Sequence, residues 1–155
     1  MSDPGSDPRA LAAWRHYLLS YNQITRAMEA EMAERAGIGL SQYDVLLRLA
    51  ETVHGRMRMS DLAEAVVYST GGLTRLLGRM HTAGLVRRAP SEEDRRVIYA
   101  ELTERGRERL AAASEVHLEG IERHFARFLR PGEAAPVAAF LARLHHADHD
   151  CTTSH

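Results

Sequence analysis

The chain has 155 residues, a formal net charge of −1, and 20 basic residues that are all arginine. That length makes one domain, or one domain with a helical extension. The near-neutral balance excludes a polycation, so any affinity for nucleic acid must come from a local arrangement of charge. The single cysteine, Cys151, excludes an internal disulfide framework and agrees with a reducing cytoplasm. No apolar run approaches the ~18 residues needed to span a membrane, and the opening MSDPGSDPRA has no secretory pattern. A soluble cytoplasmic protein is expected. The exclusive use of arginine reads as the imprint of a GC-rich genome.

Residues 1–8 are Ser, Asp, Pro and Gly, and read as a loose arm. Leu11, Trp14, Leu18, Tyr21, Thr25, Met28 and Met32 then recur in steps of three and four, which predicts a long helix stopped near Gly37. Ser41 is the expected N-cap of a second helix that turns Tyr43, Leu46, Leu47, Leu49, Ala50 and Val53 inward. Arg56-Met57-Arg58-Met59 alternates and predicts a short strand. Ser60 is the expected cap of a short helix with Leu62, Ala63, Val66 and Val67 buried. After the polar turn Tyr68-Ser69-Thr70, with Ser69 or Thr70 as cap, comes an amphipathic helix from about Gly71 to Ala83. Leu73, Leu76, Leu77 and Met80 form its inner stripe. Strand-like runs at 85–88 and 97–102 flank the charged loop Glu92-Glu93-Asp94-Arg95-Arg96. Thr103 caps a second long helix, striped by Leu110, Ala113, Val116 or His117, Ile121, His124 or Phe125, and Phe128, and ending at Arg130-Pro131-Gly132. A last helix runs from about Glu133 to His146, with Val137, Phe140, Leu141 and Leu144 inward, and residues 148–155 read as a flexible tail.

Helix, tight turn, helix and a hairpin with arginines at its tip is the plan of a winged helix-turn-helix. The fold class expected is mainly α with a small antiparallel β wing. Residues 40–103 form the DNA-binding domain, and the helices of 9–36 and 104–147 form a dimerisation region. From Arg56 to Tyr99 eight arginines face five acids, a local excess of about +3 against the overall −1. The outer face of the 71–83 helix carries two arginines, small and hydroxylated residues, and no acid, whereas a solvated face normally mixes both signs. The flanking stripes are more than a winged helix needs and suit packing across a two-fold axis. Two reading helices so related address a palindrome with half-sites about 34–36 Å apart.

Several stretches carry a resemblance. Ser60-Asp61-Leu62-Ala63, Leu73-Thr74-Arg75-Leu76, Ala83-Gly84-Leu85-Val86-Arg87-Arg88, Asp94-Arg95-Arg96 and Leu102-Thr103-Glu104-Arg105-Gly106 resemble the MarR family of bacterial transcriptional regulators. The Asp-x-Arg wing followed by Leu-Thr-x-x-Gly is the most specific part, and the order of flanking helices also matches. The resemblance implies an obligate homodimer, most often a repressor. It also implies release from DNA by a small phenolic or aromatic anion bound between the dimer helices and the reading head.

Ser69, Thr70, Gly72, Thr74, Arg75 and Arg79 are the residues expected to face the major groove. Arg75 is the best base reader, because a guanidinium fits guanine O6 and N7 bidentately, worth ~1–3 kcal/mol of discrimination. Ser69, Thr70 and Thr74 suit phosphates or thymine methyls. Arg95 and Arg96 sit on the wing, where the minor groove attracts a guanidinium, and Asp94 is expected to pair with one of them. Arg87 and Arg88 are expected at phosphates. Trp14, His16, Tyr17, Tyr43 and Arg48 would line the effector pocket, aromatic walls and a cation suiting an aromatic carboxylate or phenol. No cofactor or resident metal is expected. His145 and His149 share a helix face at metal-ligating spacing, but at a fraying end. No catalytic motif is present, so an enzyme is not expected. The rival readings are a winged-helix protein-interaction module and a metal-responsive regulator built on the His-rich tail.

Overall fold

The computed structural model describes residues 7–67 and 72–146. In chain order these are α1 (Pro8–Ala36), α2 (Leu40–Ala50), β1 (Arg56–Arg58), α3 (Met59–Ala65), α4 (Leu73–Thr82), β2 (Val86–Pro90), β3 (Ile98–Leu102), α5 (Glu104–His124) and α6 (Ala134–His146). One 3-10 turn, Ala126–Phe128, follows α5. The expected class, mainly helical with a small antiparallel sheet, is what forms. No helix among the described residues is long and apolar enough to cross a membrane.

The helix starts are set less locally than the sequence suggests. Asp7 accepts from the Arg9 amide and Pro8 occupies the first turn of α1, so these residues belong to the helix rather than to a loose arm. Gly39, not Ser41, is the N-cap of α2. Two carboxyl and amide oxygens take the first orphan amides: Glu29 of α1 accepts from Leu40 N at 2.7 Å and Gln42 from Gly39 N at 3.1 Å. Helix α3 begins at Met59 with Arg58 as cap residue, and the Ser60 hydroxyl donates to Asp61 instead of capping. Gly72 (φ 75°) takes the N-cap position of α4 expected for Ser69 or Thr70. Thr103 does cap α5, accepting from Gly106 N at 3.0 Å. Helix α5 ends six residues before Arg130, where Phe125 leaves helical angles (φ −135°, ψ −63°) and the chain tightens into the 3-10 turn.

The sheet has strand order β1-β3-β2, both pairs antiparallel, with Arg58 opposite Tyr99 and Arg87 opposite Glu101. Alternation puts Val86, Ala100 and Leu102 into the core. Leu46, Leu49, Leu62, Leu77, Met80 and Ala113 complete a core shared by α2, α3, α4, the sheet and α5. Besides Phe140 and Leu144 of α6, three residues expected inside are outside. Val53 is 94% exposed because α2 stops at Ala50. Ala63 and Val67 are exposed because α3 is only seven residues long and Val66 already has extended angles.

The Leu-Thr-x-x-Gly exit from the sheet has a physical cause. The Thr103 hydroxyl lies 2.6 Å from Gly84 O and 2.9 Å from Leu85 O, tying the start of α5 to the end of α4's turn. A Cβ at Gly106 would stand 2.2 Å from Leu85 O, so only glycine allows this approach.

The first half of α1 buries nothing. Leu11, Trp14, Leu18, Leu19 and Tyr21 are exposed, as are Phe140 and Leu144 of α6. Burial in α1 begins at Met28 and continues at Met32 and Ala36, where the helix meets α5. An ionic cluster reinforces that crossing: Arg123 and His124 reach Glu31 at 2.9 and 2.8 Å, and Arg35 reaches Glu119 at 2.7 Å. The hydrogen bond from His124, joined by the Arg123 contact, outweighs burial and holds the Glu31 carboxyl below its ordinary range.

Candidate nucleic-acid interface

Helix α4 is amphipathic in the strict sense. Leu76, Leu77 and Met80 are buried, and Thr74, Arg75, Arg79 and Thr82 are exposed on the other side. That exposed face holds no carboxylate. Gly78 lies within it, and a Cβ there would meet nothing within 4 Å. Gly72, at the N-terminal end, is exposed and left-handed. Ser69 and Thr70 lie outside the described residues.

The preceding helix is held from behind. Asp44 of α2, 3% exposed, accepts a hydrogen bond from the amide of Val67, the last described residue before Gly72. The carboxylate also sits 3.4 Å from Arg48 Nε, and Arg48 Nη1 reaches Glu51 at 3.0 Å. Arg48 is therefore committed to α2's own acids.

The wing arginines divide by partner. Arg87 and Glu101 share a sheet face through the register and form an ion pair at 2.5 Å, with Arg56 4.0 Å away on the other side. Arg88, on the opposite face, donates to Thr74 O of α4 at 3.0 Å and so ties β2 to the first turn of the helix. Asp94 does not pair with a guanidinium among the described residues. Its carboxylate accepts from Arg96 N at 2.9 Å, and its carbonyl accepts from Val97 N. An Asx turn shapes the loop because the backbone amide two residues on is nearer than either side chain. Arg75, Arg79, Arg88, Arg95 and Arg96 have no carboxylate within 4.0 Å among the described residues. Ion pairs among the described residues involve Arg35, Arg48, Arg56, Arg87 and Arg123 instead.

A second site is an open groove of about 800 Å³ between α1, α5 and α6. His16 and Tyr17 line it, with Tyr21, His117, Ile121, Phe125 and Phe140. Trp14 is 58% exposed and stacks on Tyr17 at 5.9 Å, outside the lining. Tyr43 lies behind the groove wall, 6% exposed, stacked 4.4 Å from His117 and 3.5 Å from the Ser114 hydroxyl. Burial pushes the His117 imidazole below its ordinary value against the pull of Asp44. Sequence reasoning missed His117, Phe125 and the α6 residues of this groove. Their stripes were visible, but not which stripe faces which.

A model of the MarR family matches residues 36–97. AbsC, a MarR family transcriptional regulator from Streptomyces coelicolor, is 34% identical, with a TM-score of 0.80 over 92% of this chain and 95% of AbsC. The chain belongs to the MarR family. The MarR fold is shared with Sco3205 from the same organism, solved in complex with DNA, at a TM-score of 0.84 over 91% of this chain and 88% of Sco3205. Identity there is 23%, a likeness of fold. YfiV of Bacillus subtilis strain 168, described as an uncharacterized HTH-type transcriptional regulator, is 32% identical over 88 residues, 57% of this chain and 55% of YfiV. The chain spans about half the length of the first curated relatives it matches. In MarR terms, the family model covers α2 to the wing, and the AbsC superposition extends to the flanking helices.

Proposed function

We propose that this MarR protein is a transcriptional regulator that binds double-stranded DNA sequence-specifically, as a homodimer on a palindromic operator. The observation that carries the reading is the exposed face of α4. It holds Thr74, Arg75, Gly78, Arg79 and Thr82, no carboxylate, and two arginines without an ion pair among the described residues. An uncompensated guanidinium pair beside small residues suits a phosphate-lined groove, and a guanidinium such as that of Arg75 suits a guanine edge. Of the two wing arginines, Arg95 extends the same cationic surface toward the minor groove.

Homodimerisation is supported by the apolar residues that one chain leaves bare on α1 and α6. They number too many, and lie too close together, for a solvated surface. A dimer seated on its operator excludes other proteins from that DNA, which makes repression the simplest outcome. The groove with His16, Tyr17 and His117 suits a small aromatic or phenolic releasing effector. A gel shift at moderate salt tests the reading: wild type binds a duplex selected from a random pool, and Arg75→Ala loses preference for it over a scrambled one. Equal preference in the two proteins would remove Arg75 as a base reader.

A further inference from the structure

Arg58 was no part of the DNA-contacting set expected from the sequence, yet it stands among that set. It is the last residue of β1 and the cap residue of α3. With Arg88 and Arg96 it lines a concavity of about 360 Å³, floored by Met59, Val97 and Ile98. The three arginines come from three places. Arg58 is at the start of the helix-turn-helix. Arg88 is on β2 with its guanidinium anchored at Thr74 O. Arg96 is at the foot of the wing with its backbone fixed by Asp94. One concavity therefore touches the start of α3, the wing and the tether of α4.

Its charge is not neutralised from within. No carboxylate lies within 4.0 Å of Arg58, Arg88 or Arg96 among the described residues, while Arg56 and Arg87 on the same sheet share Glu101. Asp61 and Glu93 act on Arg58 only from further away, and Asp61 already accepts from the Ser60 hydroxyl. Arg58 stands opposite Tyr99 in the register. Like charges lining one concavity repel one another until an anion joins them, and the two non-bridging oxygens of a backbone phosphate can accept from more than one guanidinium.

We propose that the concavity of Arg58, Arg88 and Arg96 holds one phosphate of the DNA backbone, at the junction of reading helix and wing. This rests on the DNA-binding reading above. Such a contact fixes position and carries no sequence information. Because Arg88 also holds Thr74 O, the phosphate sets the height at which the first turn of α4 enters the groove.

The test uses the full chain, a duplex it selects from a random pool, and a scrambled duplex of equal length. Affinity is measured by fluorescence anisotropy between 50 and 300 mM salt for wild type, Arg58→Gln, Arg96→Gln and, as a control on α1, Arg26→Gln. Losing one phosphate contact lowers the slope of log K against log salt by ~0.9. Arg58→Gln is expected to show that loss on both duplexes alike, leaving their affinity ratio unchanged. Arg26→Gln is expected to match wild type. If Arg58→Gln melts early, Arg96→Gln, on an exposed loop, carries the same expectation. Slopes equal to wild type in both variants overturn the phosphate site while leaving DNA binding intact. A selective loss on the selected duplex overturns it in favour of base reading. A wild-type chain that binds neither duplex overturns both readings.

Discussion

Gly78 separates what helix α4 needs to fold from what it needs to read. A glycine inside a helix costs about 0.5–1 kcal/mol relative to alanine. Here nothing in the protein explains the cost, since a Cβ would find nothing within 4 Å. Gly78→Ala should therefore stabilise the chain by roughly 0.5–1 kcal/mol, raising the melting temperature by roughly 1–4 °C for a protein of this size. The same methyl would stand on the acid-free face, between Arg75 and Arg79. If that face lies against base edges, the helix is pushed outward and Arg75 loses its purchase. One good bidentate contact is worth ~1–3 kcal/mol, so binding should weaken roughly 5- to 150-fold. Differential scanning calorimetry and anisotropy on the selected duplex give the two numbers. A variant that is more stable and binds as wild type would refute the claim that this face approaches the groove closely. A variant that is less stable would refute the reading of open space at Gly78.

Gly106→Ala should do the reverse. Its methyl meets the Leu85 carbonyl, a backbone atom that cannot step aside, and urea denaturation should show a loss of about 1–3 kcal/mol. Asp44→Ala leaves the Val67 amide without its acceptor and should cost about 1–3 kcal/mol in the same assay, with Asp44→Asn milder. DNA affinity should fall with it, since Val67 leads into the turn before α4. Glu31 titrates below its ordinary value chiefly because His124 bonds its charged form. Its contribution is therefore complete above the unfolded carboxylate pKa and is lost as pH falls through the lower folded one. Denaturation midpoints should drop between pH 7 and pH 3 in wild type, and drop less in Glu31→Gln.

Much of this was legible from residue spacing. The inner stripe of α4, the hairpin, the third strand at Arg56 and the cap at Thr103 all follow from periodicity or local chemistry, and all form. The helix starts at Ser41 and Ser60 did not, because partners distant in sequence satisfy those amides or a carboxylate competes for the hydroxyl. Glu29 lies eleven residues from the Leu40 amide it bonds. Arg87 and Arg88 are neighbours that look alike in sequence. Only the register sends one to Glu101 and the other to Thr74 O. Arg48 read as a free cation and Tyr43 as a pocket wall. Intrahelical acids claim the first, and the second is buried against His117. The groove needed knowledge of which apolar stripe a neighbour covers, which no single helix records.

The most direct test is protection of guanine N7 from methylation on the selected duplex, with wild type and Arg75→Ala side by side. Two protected guanine positions, related by a dyad and about one helical turn apart, should appear with wild type and vanish with Arg75→Ala. Protection by both proteins alike, or at a single unpaired position, would contradict a two-fold pair of α4 helices reading DNA through Arg75.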